Sequence, residues 1–138
     1  MSDRDRYLKA GADLETWAYK EKTTAASCMA AYGTAKSLVG KVKPKDDDDP
    51  AKFVFANVRT NAPMCLARAG DCEQSWIVYR EAWRLDPLMS DASRKINDAD
   101  LRNGFDAVVR QCARPVQKCT SDKDCPSHVC TGGECLRL

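Results

Sequence analysis

The chain has 138 residues, of which 22 are basic and 20 acidic, and a net charge of +2. Nucleic acid needs a concentrated basic surface, so this balance argues against it as a partner. Apolar residues make up 43%, enough for one compact domain with a small appendage, and no apolar run approaches the length that spans a bilayer. Eight cysteines (Cys28, Cys65, Cys72, Cys112, Cys119, Cys125, Cys130, Cys135) are an even number in a short chain, which predicts four disulfides and an oxidising compartment. The opening MSDRDRYLKA is charged and lacks a signal-peptide core. The reading therefore favours a mature form whose leader has been removed over reduced thiols in a cytosol.

Residues 4 to 22 place Tyr7, Ala10, Leu14, Trp17 and Ala18 on one helical face. Thr23-Thr24 then caps a second helix to about Val39, with Ala25, Cys28, Met29, Tyr32, Ala35 and Val39 inward. No proline separates the two, so one long helix is the alternative. In the loop that follows, KVKPKDDDD partly neutralises itself. Asp49-Pro50 reads as an N-cap with proline at the first helical position. A third helix is predicted over 51 to 69, carrying Phe53, Phe55, Val58, Ala62, Cys65, Leu66 and Ala69, with Pro63 kinking or interrupting it.

The strongest signal is Gly70 to Pro87, GDCEQSWIVYREAWRLDP. Asp71 and Gln74 have capping-box spacing. Cys72, Trp76, Tyr79 and Trp83 recur at helical intervals beside a second apolar row of Val78, Ala82 and Leu85. A helix with two apolar faces must lie between neighbours. Asp86-Pro87 ends it. A fifth helix, capped by Asn97 or Asp98 and stopped by Pro115, carries Leu101, Phe105, Val108, Val109 and Cys112; no strand is predicted before the tail.

The segments AYGTAKSL (Ala31 to Leu38) and VYREAWRL (Val78 to Leu85) share Tyr, Ala and Leu at matching places. With Gly70-Asp71 at a turn, Tyr79 and Ala82 in a second helix and Pro87 after it, the stretch LARAGDCEQSWIVYREAWRLDP resembles the tetratricopeptide repeat family. Ser75 stands where a small alanine is usual, Pro63 where a small residue is, and Gly40 where the closing proline would be. The resemblance spans roughly residues 4 to 87 and implies stacked antiparallel helix pairs and a protein-binding groove. The chain is also similar to small envelope proteins of myxobacteria, which pair such helices with a Cys-rich tail.

If consecutive helices are antiparallel, Cys28 at the start of the second comes level with Cys65 at the end of the third. Cys72 and Cys112 meet in the same way. Each bond would add about 3 to 4 kcal/mol by restricting the unfolded chain. The tail KCTSDKDCPSHVCTGGECLRL has too few apolar residues to fold without help. Its predicted pairs are Cys119–Cys130 and Cys125–Cys135 around a Gly132-Gly133 turn, and its spacing resembles the dickkopf-type Cys-rich module. Zinc is the rival, but structural zinc sites favour closer cysteine pairs than these gaps provide.

His128 could pair with a thiol as a nucleophile, yet no glycine-flanked nucleophile sequence accompanies it, and an exposed loop histidine is the plainer reading. Asp46 to Asp49 lack the spaced oxygens and central glycine of an EF-hand and read as a solvated run. Nothing brings Glu73, Glu81 or Asp106 together for acid–base work, so surface salt links are expected. Trp17, Trp76 and Trp83 read as core, with one exposed at an open stack end. No phosphate loop, dinucleotide fingerprint or hydrolase sequence occurs.

The sequence thus predicts an all-α domain of about five helices in tetratricopeptide-like hairpins over 1–115, and a disulfide-held tail over 116–138. The expected role is non-catalytic: a protein-binding or accessory subunit of an extracytoplasmic bacterial assembly, in the periplasm, in the envelope or secreted. No cofactor, metal or catalytic residue is expected, and the protein-binding residues are not identified. Membrane attachment would require a lipid anchor upstream of Met1. Two rivals are a secreted inhibitor or toxin-like factor acting through the tail, and a thiol enzyme or metal protein.

Overall fold

Two hydroxyl side chains open the first two helices, and the second of them falls in the break between the two. In a computed structural model that describes residues 1–87, 112, 115–125 and 128–136, Ser2 accepts the Asp5 N–H at 3.0 Å and opens α1 (Asp3–Tyr19). Thr24 accepts the Ser27 N–H at 3.1 Å and opens α2 (Ala25–Leu38). The single long helix is thereby ruled out. The described residues fall into two compact units, Met1–Lys95 and Ile96–Leu138.

Asp49 caps not an α-helix but a 3-10 turn (Pro50–Lys52), accepting the Ala51 N–H at 3.0 Å. Helix α3 (Val54–Arg68) starts only after it. Phe53, expected inward, is 45% exposed, because three residues per turn rotate the chain further per step than an α-helix does. Pro63 does not interrupt α3, which runs unbroken across it. Every residue from Asn61 to Ala67 is buried, and the Ser75 hydroxyl donates to the Pro63 carbonyl at 2.7 Å. Packing on all sides therefore outweighs the local cost of proline, about 3 kcal/mol.

Gly70 ends α3 in a Schellman closure. At φ +87° it lets Asp71 N–H reach Leu66 O at 2.9 Å while its own N–H reaches Ala67 O at 3.0 Å. Asp71 then accepts the Gln74 N–H at 3.0 Å, and α4 (Cys72–Leu85) follows. Helix α3 packs against α1, α2 and α4. Ten of its fifteen residues are buried, which makes α3, rather than α4, the centre of this unit. Its core joins Tyr7 and Leu14, Tyr32, Phe55 and Leu66, and Val78 and Ala82, one group from each helix.

Polar tethers fix the ends. Arg4 donates twice to Asp49, at 2.7 and 2.6 Å, joining the start of α1 to the turn before α3. Arg68 Nη1 donates to Trp17 O at 3.1 Å. A disulfide joins Cys28 to Cys65, with Cα atoms 5.9 Å apart. Arg59 lies 3.2 Å from Asp86, whose side chain is fully buried.

The second unit contains strands, so the expectation of an all-α fold is corrected to a mostly helical protein with a few strands. Strands β1 (Pro115–Lys118), β2 (Cys130–Thr131) and β3 (Glu134–Leu136) form an antiparallel sheet in the order β1-β3-β2. Gly132 and Gly133, at φ +59° and +81°, turn β2 into β3. Strands this short are held by Cys119–Cys130 and Cys125–Cys135, and their two to four residues are too few to show a period of two. Cys72 and Cys112 are disulfide-bonded as well. The predicted fifth helix lies outside the described residues, apart from Cys112.

Candidate functional site

On α1, residues at intervals of three and four share a face. Arg6, Lys9, Asp13 and Trp17 therefore form a line, and they face small residues of α2, Ala30 and Ala31 among them, across a groove of about 320 Å³. Small side chains on α2 are what leave the space. The groove has an apolar floor of alanines, an aromatic wall at half-buried Trp17, and a charged rim. On that rim Lys9 Nζ lies 2.6 Å from Asp13, and Arg6 lies 3.2 Å from Asp3 outside it. Both pairs are exposed, so they exchange partners with solvent at little cost. Such a surface can hold an apolar side chain and orient it through charge. It carries no pair of carboxylates and no nucleophile–base contact.

Glu81 makes the salt link expected of it and a further hydrogen bond besides. It accepts from the Tyr32 hydroxyl at 2.7 Å and lies 2.9 Å from Lys36 Nζ, tying α2 to α4. Partial burial would raise its pKa, but the bonds from Lys36 and Tyr32 lower it. Burial, then the hydrogen bond to Glu81 and its charge, drive the Tyr32 pKa far upward. Burial and then the Asp86 charge push Tyr7 up to about 12.

The acidic run departs from expectation at one residue. Asp46 to Asp48 are exposed, whereas Asp49 is only 5% exposed. It accepts from Arg4, from Lys45 N–H at 2.8 Å and from Ala51 N–H, and these bonds, that from Arg4 first, hold its carboxyl well below the usual carboxylate range. Trp76 is core. The Trp83 side chain and Asp106 lie outside the described residues. Glu73 is exposed.

In the tail, Asp124 accepts from the Thr120 hydroxyl at 2.8 Å and from the backbone N–H groups of Thr120 and Ser121. Asp122 accepts the Cys130 N–H at 2.8 Å. His128 is exposed, at φ +59°. The sulfurs of Cys119, Cys125 and Cys135 lie within 4.8 Å of one another, but each is in a disulfide. A disulfide sulfur has no thiolate to offer a metal.

Sequence reasoning did not single out Arg6, Lys9 and Asp13. Their spacing on one face was available as a signal, but it became a groove only once α2 was placed opposite. No protein-family model matches the chain, and no curated protein or solved structure matches it.

Proposed function

We propose that the chain is a non-catalytic docking scaffold of an extracytoplasmic bacterial assembly, built from tetratricopeptide-like hairpins, with the α1/α2 groove as its contact face. The groove carries this reading: an apolar floor, an aromatic wall and a charged rim suit a peptide segment better than a reacting small molecule. The hairpin reading is supported by the tethers. Arg4–Asp49 and Arg68–Trp17 bring α1 and α3 together start to start and end to end, while Cys28–Cys65 brings the start of α2 to the end of α3. The repeated Tyr and Ala of the sequence echo are also equivalent in burial: Tyr32 and Tyr79, and Ala35 and Ala82, are all buried.

An extracytoplasmic site is supported by the bonding of all eight cysteines, since structural disulfides persist in oxidising compartments. Among the described residues no helix is long and apolar enough to cross a membrane. The test is in-cell cross-linking with a photoreactive residue at Thr34, in wild type and in Ala30→Glu. Ala30 is exposed on the groove, so the glutamate fills it without disturbing the core. Loss of the wild-type adduct in Ala30→Glu, with retention in the control Ile77→Ser, is expected. Equal adducts in all three would contradict the groove.

A further inference from the structure

The tail brings more sulfur together than two disulfides require. The sulfurs of Cys119, Cys125 and Cys135 lie within 4.8 Å of one another. The fourth, that of Cys130, is bonded to Cys119. Cys130 also sits directly opposite Cys135 in the β2–β3 register, so two cysteines come from the hairpin and two flank the Asp122–Asp124 turn. A tetrahedral zinc site with Zn–S bonds of about 2.3 Å sets its sulfurs roughly 3.8 Å apart. Three of the four sulfurs thus already lie near the spacing that such a site needs, and the fourth is held to one of them by a covalent bond.

We propose that the tail is a redox-gated metal site: once reduced, Cys119, Cys125, Cys130 and Cys135 bind one zinc ion as four thiolates. A dithiol reductant supplies the electrons. Each disulfide takes up two electrons and two protons and becomes two thiols, while one dithiol becomes a disulfide. Zinc then displaces the four thiol protons as four Zn–S bonds form. The interleaved pairing, first to third and second to fourth, sets three of the sulfurs in one cluster and bonds the fourth to a member of it, where a side-by-side pairing could leave two separate pairs. This overrides the sequence objection: the gaps between the cysteines are wide along the chain, but the hairpin and the turn close them in space. Cys125 and Cys135 are buried, which limits competition from water for the metal. The tail would then keep its fold in both redox states, cross-linked by sulfur in one and by metal in the other. The proposal is independent of what binds the groove.

The test uses the full chain, reduced with a phosphine under argon, given Zn²⁺ alone, desalted and assayed for metal. The expected result is about one zinc per reduced chain and none on the oxidised chain. Zinc should be lost in Cys125→Ser/Cys135→Ser and retained in Cys28→Ser/Cys65→Ser. Because serine pairs could unfold the tail, a second measurement uses Co²⁺ on the reduced wild type. The expected spectrum has sulfur-to-cobalt charge-transfer bands and the intense visible bands of a tetrahedral site. Equal zinc in wild type and tail variant, zinc lost only with Cys28 and Cys65, or a weak octahedral cobalt spectrum would each overturn the proposal.

Discussion

Asp86 and Glu81 are both carboxylates on or beside α4, yet burial gives them different weight. Asp86 has no exposed surface and lies 3.2 Å from Arg59, so removing it takes a buried carboxylate away from that guanidinium. Asp86→Ala is expected to lose about 3 to 5 kcal/mol in urea unfolding. Lys36→Ala removes a half-exposed partner of Glu81 and should cost under about 1 kcal/mol. The titrating groups also fix a pH profile. Tyr7 moves from 10.0 up to about 12 on folding, and Tyr32 moves further the same way. Their contribution is complete below pH 10 and is lost as pH rises toward the folded values. Asp49 is depressed below its ordinary 3.8, so its contribution is complete above that value and is lost as pH falls through the folded one. Unfolding midpoints should therefore be level between about pH 5 and 9 and fall on either side. Asp49→Asn should lower the neutral-pH midpoint and flatten the acid limb. A rise in stability above pH 10 would contradict this account. Of these roles, only the Asp49 cap and the inward faces of Tyr7 and Tyr32 were legible in the sequence. Arg4 and Asp49 are 45 residues apart, and nothing local distinguishes Asp49 from its three acidic neighbours except the proline after it.

At the level of the element, local chemistry was readable wherever it acts within one turn. Thr24, Asp71 and Gly70 do as caps and terminator what their types dictate. Gly70→Ala should cost about 1 kcal/mol, since only glycine takes φ +87° without strain. Gly40→Ala, where an added Cβ meets nothing within 4 Å, should be close to neutral. Equal losses at both positions, by thermal melt, would remove the Schellman argument. Phe53 was misread, and Pro63 leaves α3 uninterrupted, for one reason: their setting comes from neighbours. Burial on every side carries α3 across the proline, and a three-residue 3-10 turn moves Phe53 outward by a phase that hydrophobic spacing does not reveal. The tail strands escaped notice because their order comes from two disulfides and a two-glycine turn.

For the molecule as a whole, the helical core and the cysteines share the task of stability. The Cys28–Cys65 bond closes a separation of 37 residues, which on the chain-entropy model contributes roughly 4 kcal/mol. Cys28→Ser/Cys65→Ser should lose about that much under oxidising conditions, with little change once wild type is also reduced. The central claim is that this protein works as a disulfide-stapled helical scaffold outside the reducing cytosol. The most direct measurement is a non-reduced peptide map of the chain isolated from its native source, with its intact mass before and after reduction. The account predicts that reduction adds the mass of eight hydrogens, one for each of the eight cysteines, and that one cross-linked peptide pair joins Cys28 to Cys65. An unchanged mass, or Cys28 joined to any other cysteine, would contradict it.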